Sequence, residues 1–304
     1  MAAHVRDNLT SYTFLAPFLI IFLVFLAYPV FYSLYLALHQ VPADSYDIFG
    51  GLEFVGFANF AKLFSDVRFW WSVLMTLYYA VLIIPSGIAF SLTLALLLNN
   101  RLKAVAVYRS AFFMPYVLDM LVVGIVWTLI YSPHFGVLVR MFESVGITAF
   151  SERGFLGTPA SAMPAVVAAN VLKGAGFGMI LYLSAIQNIP KSLYEAAEID
   201  GASGWQRFRS ITLPLVKPIT FFMVIIGTIS ALNAFAEVYA MTSGGPNIDV
   251  GGRALGATWV TGYYVFDAFY NQFKLGYAAS MSYVLLALTL VITFVNRRFL
   301  SSEE

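Results

Sequence analysis

The stretch FWWSVLMTLYYAVLIIPSGIAFSLTLALLL, which runs from Phe69 to Leu98, contains no Asp, Glu, Lys or Arg. An α-helix rises about 1.5 Å per residue, so about 20 apolar residues cross the roughly 30 Å hydrocarbon core of a bilayer. The stretch is therefore long enough to cross a membrane as one helix. It predicts an integral membrane protein.

The composition of the whole chain supports that prediction. Of its 304 residues, 60% are hydrophobic and 11% are charged, whereas a soluble domain carries roughly 25% charged residues. A net charge of +1 provides no basic surface, so we expect no nucleic-acid partner. The lack of cysteine excludes disulfides, thiolate metal sites and a catalytic thiol.

Apolar runs of similar length lie on both sides of the quoted stretch. They predict six transmembrane helices near residues 14–38, 69–98, 110–132, 163–188, 219–243 and 276–296. The first run is longer than the apolar core of a signal peptide, so we expect a retained span. In the fourth, Gly174 and Gly178 have a G-x-x-x-G spacing, which predicts a helix packed against protein rather than lipid.

The distribution of Lys and Arg predicts the orientation. With the N-terminus inside, the cytoplasmic segments carry ten of these residues in about 60 positions, and the external segments carry six in about 95. An even number of crossings returns the C-terminus to the same side. We therefore predict an all-α integral membrane protein with six transmembrane helices and with both termini in the cytoplasm.

A polar segment between the fourth and fifth spans, residues 190–218, has the pattern of a structured hairpin. Ser192-Leu-Tyr-Glu195 and Ser203-Gly-Trp-Gln206 both match a capping box, so we expect two short helices. Gly201 lies between them, where a left-handed residue ends the first helix. We expect the second helix to stop before Pro214, because the residue that precedes a proline avoids helical geometry.

The apolar residues of this hairpin have no soluble domain of the chain to cover them. They are Tyr194, Ala196, Ala197, Phe208 and Ile211. A partner protein would bury them, and the alternative is an amphipathic hairpin that rests on lipid headgroups.

The run from Glu195 to Pro214, EAAEIDGASGWQRFRSITLP, closely resembles the EAA loop of the permease subunits of bacterial binding-protein-dependent ABC sugar importers. The matching residues are Glu195, Ala196, Ala197, Asp200, Gly201, Ala202, Phe208, Leu213 and Pro214. Phe54-Val-Gly-Phe-Ala-Asn-Phe60 and Thr242-Ser-Gly-Gly-Pro246 also resemble this family, and most of all its maltose-type first permease subunit.

The resemblance implies a type I importer permease fold. It implies an N-terminal helix and external loop at residues 1–68, a permease core at 69–298 and a cytoplasmic tail at 299–304. In this interpretation the protein lies in the bacterial cytoplasmic (inner) membrane and forms a heterodimer with a second permease subunit. Two copies of an ATPase subunit bind below, with loop 190–218 as the contact, and an extracytoplasmic solute-binding protein delivers a sugar such as a di- or oligosaccharide.

Two features depart from the family pattern. Residues 247–273 are rich in Gly, Tyr and Phe, and about 30 residues separate the first two spans, which leaves no room for a large external domain. The identity of the solute is therefore not carried over from any relative.

The chain itself has no motif for catalysis. It lacks G-x-x-x-x-G-K-[ST], whose backbone amides hold phosphates, and it lacks H-E-x-x-H and G-x-S-x-G. Its histidines, His4, His39 and His134, are far apart in sequence. We expect that the chain is not an enzyme, that it binds no metal or cofactor, and that ATP and Mg²⁺ bind to the partner ATPase.

Polar residues within the predicted spans are candidates for a solute pathway. They are Asp119, Asn170, Lys173, Asn233 and Glu237, with Tyr239 or Trp127 as a stacking surface for a sugar. Charges at membrane depth are costly, so these side chains should face a cavity or one another. The second interpretation is an ion pair of Lys173 with Asp119 or Glu237 that only fixes helix packing.

Two other classes of function remain open. An ion-coupled secondary transporter would use Asp119 or Glu237 as the coupling carboxylate, although the chain shows no convincing internal repeat. A membrane enzyme acting on a lipid-linked substrate is disfavoured by the lack of a polar catalytic constellation.

Overall fold

The computed structural model describes residues 14–40, 51–100 and 103–301. Its helices are α1 Phe14–Ala37, α2 Ala58–Ser65, α3 Val67–Leu98, α4 Val105–Val117, α5 Met120–Ile130, α6 Val137–Ser144, α7 Pro159–Gln187, α8 Lys191–Ile199, α9 Gly204–Leu215, α10 Lys217–Leu232, α11 Ala236–Met241, α12 Thr261–Phe266 and α13 Leu275–Ser301. π-Helical turns occupy Leu23–Ala27 in α1, Phe208–Thr212 in α9 and Asp267–Asn271 after α12.

Two short antiparallel strand pairs accompany the helices. Strand β1, His39–Gln40, pairs with β2, Glu53–Phe54. Strand β3, Asn247–Val250, pairs with β4, Arg253–Gly256. The chain divides into two compact units, Met1–Asp66 with Val265–Leu286 and Val67–Tyr264 with Ala287–Glu304.

In the first unit, a buried asparagine closes the end of α1. Asn59 Nδ2 donates to the Ala37 carbonyl at 2.9 Å and to the His39 carbonyl at 3.0 Å. Ala37 is the last residue of α1, where carbonyls have no partner within the helix, and His39 follows in β1. Gly276 lies against the same backbone, and a Cβ there would overlap the His39 carbonyl. Position 276 therefore requires glycine.

The second unit is built around the contact between α3 and α7. Ser91 Oγ on α3 donates to the Ala175 carbonyl on α7 at 3.2 Å. A Cβ at Gly178 would overlap the Ser91 hydroxyl, and one at Gly176 would overlap the Phe112 carbonyl of α4. Half of the most apolar window of α7 is buried, against about a quarter of that of α3 and none of that of α1. The prediction of a span packed against protein is confirmed, but only Gly178 of the two spaced glycines lies at a helix contact, because a Cβ at Gly174 would meet no atom within 4 Å.

Within residues 14–40, 51–100 and 103–301, four helices are continuous, long and apolar enough to cross a membrane: α1, α3, α7 and α13. Two bent pairs, α4 with α5 and α9 with α10, raise the number to six if each pair is one span. The fold is therefore that of an all-α integral membrane protein. The predicted continuity of the third and fifth spans, however, is wrong.

The third span breaks between α4 and α5, which meet at 103°. Pro115 lies in the last turn of α4, and Asp119 begins α5 as its N-cap, with Oδ1 accepting the Leu121 N–H at 2.8 Å. A proline removes a helical hydrogen bond, and a capping aspartate starts a new helix. Together they explain why residues 110–132 do not form one helix.

The predicted fifth span, residues 219–243, breaks after α10. Asn233 follows the end of α10, and its Nδ2 donates to the Ile229 carbonyl at 2.8 Å. Asparagine side chains satisfy the backbone outside regular helix, which favours a helix end at this position. The chain resumes a helix only at Ala236.

Candidate functional site

The hairpin, residues 190–218, turns at a left-handed glycine. Gly201 has φ +75°, and its N–H donates to the Glu198 carbonyl at 3.0 Å. The next amide, Ala202 N–H, donates to the Ala197 carbonyl at 2.8 Å. These two bonds form the Schellman motif that ends α8. The predicted turn is confirmed.

Only one of the two predicted capping boxes is present. Ser203 N–H donates to Gln206 Oε1 at 2.7 Å, and Gln206 N–H donates to Ser203 Oγ at 3.3 Å. The capping box predicted at Ser192 and Glu195 is wrong, because α8 already begins at Lys191. Its N-cap is Pro190, and no side chain caps it. The fixed φ of proline starts this helix without a capping hydroxyl.

The predicted stop before Pro214 is also wrong, since α9 continues to Leu215. In a regular α-helix the Pro214 ring would meet the carbonyl four residues earlier. The π-turn Phe208–Thr212 widens the backbone there, and Leu213 N–H bonds to the Phe208 carbonyl five residues back. The wider turn therefore accommodates the proline inside the helix.

Side chains connect the two helices of the hairpin. Tyr194 Oη lies 2.8 Å from Thr212 Oγ1, which is buried. Glu198 forms an ion pair with Arg207 at 3.5 Å, although an exposed pair of this kind stabilises by at most about 1 kcal/mol. With the turn and the capping box, these contacts make the hairpin a compact element.

The uncovered apolar surface of the hairpin differs from the predicted one. Ile199 is 86% exposed and Trp205 is 67% exposed, and Leu193 is exposed as well. Of the predicted apolar residues, Tyr194, Ala197, Phe208 and Ile211 are half-buried, whereas Ala196 is exposed. Among the family-pattern residues, Glu195, Asp200, Gly201, Leu213 and Pro214 are exposed and Ala202 is half-buried.

A second site lies where α3, α7 and α11 bring three polar side chains together. Tyr79 Oη donates to Glu237 Oε1 at 2.7 Å. Asn170 Nδ2 donates to Tyr79 Oη at 2.6 Å and to Glu237 Oε1 at 3.2 Å. Tyr79 is 1% exposed and Glu237 is 8% exposed. We call this group the Tyr79–Asn170–Glu237 cluster.

The cluster faces a cavity of about 170 Å³ between α3, α7 and α10. Its walls are mainly apolar, and they include Ile83, Ile84, Ile88, Val171, Met223 and Ala231. At Gly87 and Gly174, an added Cβ would meet no atom within 4 Å. An apolar cavity with a few convergent polar groups is the usual form of a small-molecule site.

Two of the six predicted pathway residues, Asn170 and Glu237, line this cavity. Asp119 is an exposed helix cap, Asn233 is exposed at the end of α10, and Tyr239 is exposed with its ring stacked on Phe235. These three residues and Lys173 are not among the cavity lining. Trp127 packs against Tyr131 in the core instead.

Lys173 has a partner that the sequence did not predict. Its Nζ donates to the Tyr116 carbonyl at 3.2 Å and lies 5.4 Å from the centre of the Tyr116 ring. Tyr116 is in the last turn of α4, where a cation stabilises the unpaired carbonyls and the helix dipole. In the described part of the chain, Lys173 forms no ion pair with Asp119 or Glu237.

Tyr79 is the residue of the cluster that sequence reasoning missed. Aromatic residues make up 17% of the chain, and in a membrane protein most of them are expected to contact lipid or the core. The sequence therefore gives no reason to single out Tyr79. The signal that was present is the pair of polar residues, Asn170 and Glu237, at membrane depth, because a buried carboxylate requires hydrogen-bond donors.

Helices α3 and α7 are long and apolar enough to cross a membrane, and with α10 they enclose a cavity that the Tyr79–Asn170–Glu237 cluster faces. This arrangement fits the class of membrane transport proteins. Residues 65–301 match the family of binding-protein-dependent transport system inner membrane components. The chain therefore belongs to this family of ABC transporter permeases, and it is a multi-pass membrane protein.

Similar proteins cover nearly the whole chain. The probable ABC transporter permease protein YesP of Bacillus subtilis is 34% identical over 95% of this chain and 90% of its own length. The trehalose/maltose transport system permease protein MalF of Thermococcus litoralis is 33% identical over 95% of this chain and 93% of its own length. A solved structure of a bacterial ABC transporter involved in the import of the acidic polysaccharide alginate superposes with a TM-score of 0.80 at 24% identity. The match covers 99% of this chain and 98% of that chain. That likeness establishes the type I permease fold.

Proposed function

We propose that this chain is one permease subunit of an ABC importer that moves a sugar, such as a di- or oligosaccharide, into the cytoplasm. Relatives named for trehalose/maltose and lactose support a sugar. Relatives named for sulfoquinovosyl glycerol and sn-glycerol-3-phosphate leave the charge of the solute open. In this proposal the protein lies in the bacterial cytoplasmic membrane, and residues 69–298 form the permease core.

The proposed assembly has four kinds of subunit. This chain pairs with a second permease subunit, two ATPase subunits bind and hydrolyse ATP with Mg²⁺ below, and a solute-binding protein docks outside. A solved alginate importer in complex with its periplasmic protein supports such an arrangement. The chain itself supplies a path and a coupling element, and ATP hydrolysis belongs to the partner.

The observation that carries the proposal is that the hairpin continues directly into α10, a helix that lines the cavity. The hairpin joins α10 at Val216, where the helix axis bends by 61°. Met223, Gly227 and Ala231 on α10 line the cavity. A movement of the hairpin would therefore tilt α10 and change the shape of the cavity. In this way a rigid element can transmit a change in the ATPase to the solute pathway. Exposed Ile199 and Trp205 provide the hairpin with apolar contacts for an ATPase groove.

A pair of glycine variants tests the coupling role. Gly201→Val puts a β-branched side chain at φ +75°, a conformation that strongly disfavours it. Gly204→Val makes the same change three residues later, where the backbone is helical and an added Cβ meets no atom within 4 Å. Both variants are expected to insert into the membrane at normal levels.

The readouts are co-purification of the ATPase and ATP-dependent sugar uptake in vesicles. We expect Gly201→Val to lose at least tenfold in uptake or in ATPase recovery, and Gly204→Val to remain within twofold of the native chain. Normal uptake in Gly201→Val would refute the coupling role. Uptake that follows an ion gradient without any ATPase would instead support a secondary transporter.

A further inference from the structure

Glu237 is the one residue with a carboxyl side chain among those that line the cavity, and no Lys, Arg or His lines it. The other polar side chains in the lining, including Tyr79 and Asn170, are neutral or weakly acidic. In the part of the chain that the structure describes, no Lys, Arg or His forms an ion pair with Glu237. Lys173, on the helix that also supplies Asn170, is bound to the Tyr116 carbonyl instead. Among the described residues, the carboxyl group of Glu237 in the cavity therefore has no cationic partner.

The cluster holds this carboxylate in one orientation. Tyr79 Oη and Asn170 Nδ2 both donate to the same oxygen, Oε1, and they are hydrogen-bonded to each other. Among the described residues, no side chain donates to Oε2. A carboxylate oxygen has two lone pairs, and a buried one is stabilised by donors. Among the described residues, Oε2 is thus the oxygen of Glu237 whose lone pairs have no side-chain donor.

We propose that Glu237, as a carboxylate, selects the solute by charge. The cavity accepts a solute that has no negative charge and that donates a hydrogen bond to Oε2, such as a sugar hydroxyl or the ammonium of an amino sugar. It excludes anionic sugars, including uronates and sugar phosphates. This inference rests on the proposed function, in which the cavity lies on the solute pathway.

The physical reason is repulsion in a medium of low polarity. Two like charges about 4 Å apart repel strongly at the effective dielectric of a protein, and an anionic solute would also lose its hydration in a mainly apolar cavity. A neutral hydroxyl pays neither cost, and its hydrogen bond to a charged acceptor is stronger than one to a neutral acceptor. The discrimination against an anion should therefore exceed about tenfold in affinity.

Methyl glucoside and methyl glucuronide are suitable probes, because they differ only by CH₂OH against a carboxylate. Binding of each to the purified importer complex is measured by saturation-transfer NMR. Gly174→Leu defines the signal that comes from the cavity, since its side chain projects into open space there. We expect the glucoside signal to disappear in Gly174→Leu, and the glucuronide to bind at least tenfold more weakly than the glucoside.

Two substitutions separate charge from shape. Glu237→Gln keeps the size and the hydrogen-bonding capacity but removes the charge, and it should reduce the preference to about threefold or less. Glu237→Asp keeps the charge and should retain most of the preference. Assembly yield of each variant shows whether the complex forms, and the Asp variant keeps the test decisive if the Gln variant assembles poorly.

Equal binding of the two probes to the native complex would overturn the inference, as would an unchanged preference in Glu237→Gln or the lack of any cavity-dependent signal. Binding and ATP-dependent uptake are measured separately. If uptake depends on the Gly201 turn while the probes bind equally, the charge selection fails and the importer function stands. If the charge preference holds while no ATPase assembles with the chain, the importer function fails instead.

Discussion

Replacing Tyr79 with Phe should destabilise the protein more than replacing Tyr182 with Phe. Both tyrosines are buried, at 1% and 0% exposure, and each substitution removes one hydroxyl group. The Tyr79 hydroxyl donates to Glu237 and accepts from Asn170. The Tyr182 hydroxyl donates only to Thr220 Oγ1, at 3.0 Å. The two variants form a matched pair in which the hydrogen-bond partners differ.

The expected free-energy changes follow from these partners. A neutral hydrogen bond between membrane helices contributes about 0.6 kcal/mol on average, and one to a charged group contributes about 1.5 to 3 kcal/mol. Tyr182→Phe should therefore cost about 0.6 kcal/mol, and Tyr79→Phe about 2 kcal/mol. At about 2 to 4 °C per kcal/mol, the Tm should fall by about 1 to 2 °C in Tyr182→Phe and by about 4 to 8 °C in Tyr79→Phe.

The assay heats the detergent-solubilised complex and measures by size-exclusion chromatography the fraction of a fluorescently tagged chain that remains assembled. A double-mutant cycle with Glu237→Gln adds the pairwise term, which should exceed about 0.5 kcal/mol because Tyr79 and Glu237 are in direct contact. A Tm loss in Tyr79→Phe no larger than in Tyr182→Phe would refute the inference that the hydrogen bond from Tyr79 to Glu237 stabilises the protein more than a neutral one.

Three further predictions concern other parts of the chain. Gly178→Leu should reduce assembly yield severalfold in a detergent extract, because its side chain would overlap the α3 hydroxyl that faces it; a normal yield would contradict the close packing. Lys173→Met and Glu237→Gln should change the free energy of unfolding additively, within about 0.5 kcal/mol, since the two residues share no partner, and a larger coupling would indicate an ion pair. An impermeant thiol reagent outside intact cells should label a cysteine introduced at Asn247 and should not label one at Ser203; the reverse pattern would invert the predicted topology.

The continuous spans could be predicted from sequence because hydropathy is additive along a helix. The runs that became α1, α3, α7 and α13 are long and strongly apolar, although α7 contains Asn170 and Lys173. Their predicted limits differ from the observed ones by only a few residues in most cases. The breaks at Asp119 and Asn233 were missed because a single polar residue hardly changes the hydropathy of a long window. A helix end depends on local hydrogen bonds, and Pro115 followed by Asp119 was the available signal.

The two parts of the site differed in how far the sequence specified them. The hairpin turn depends on residues close in sequence, so Gly201 and the Ser203 box could be predicted. The cluster depends on three helices, and the residues that meet there are up to 158 positions apart. No local pattern identifies Tyr79 as the partner of Glu237, because that pairing exists only after α3, α7 and α11 have packed.

The glycines of α7 separate two kinds of constraint within a single turn and a half of helix. Gly176 and Gly178 face the backbone of α4 and a side chain of α3, so almost any replacement there disturbs packing. Gly174 faces the cavity and has open space around its Cα. A single substitution at Gly174 can therefore narrow the cavity while the packing of the helices stays unchanged. Descendants of this protein that adopt smaller solutes would be expected to differ at Gly174 before they differ at Gly176 or Gly178.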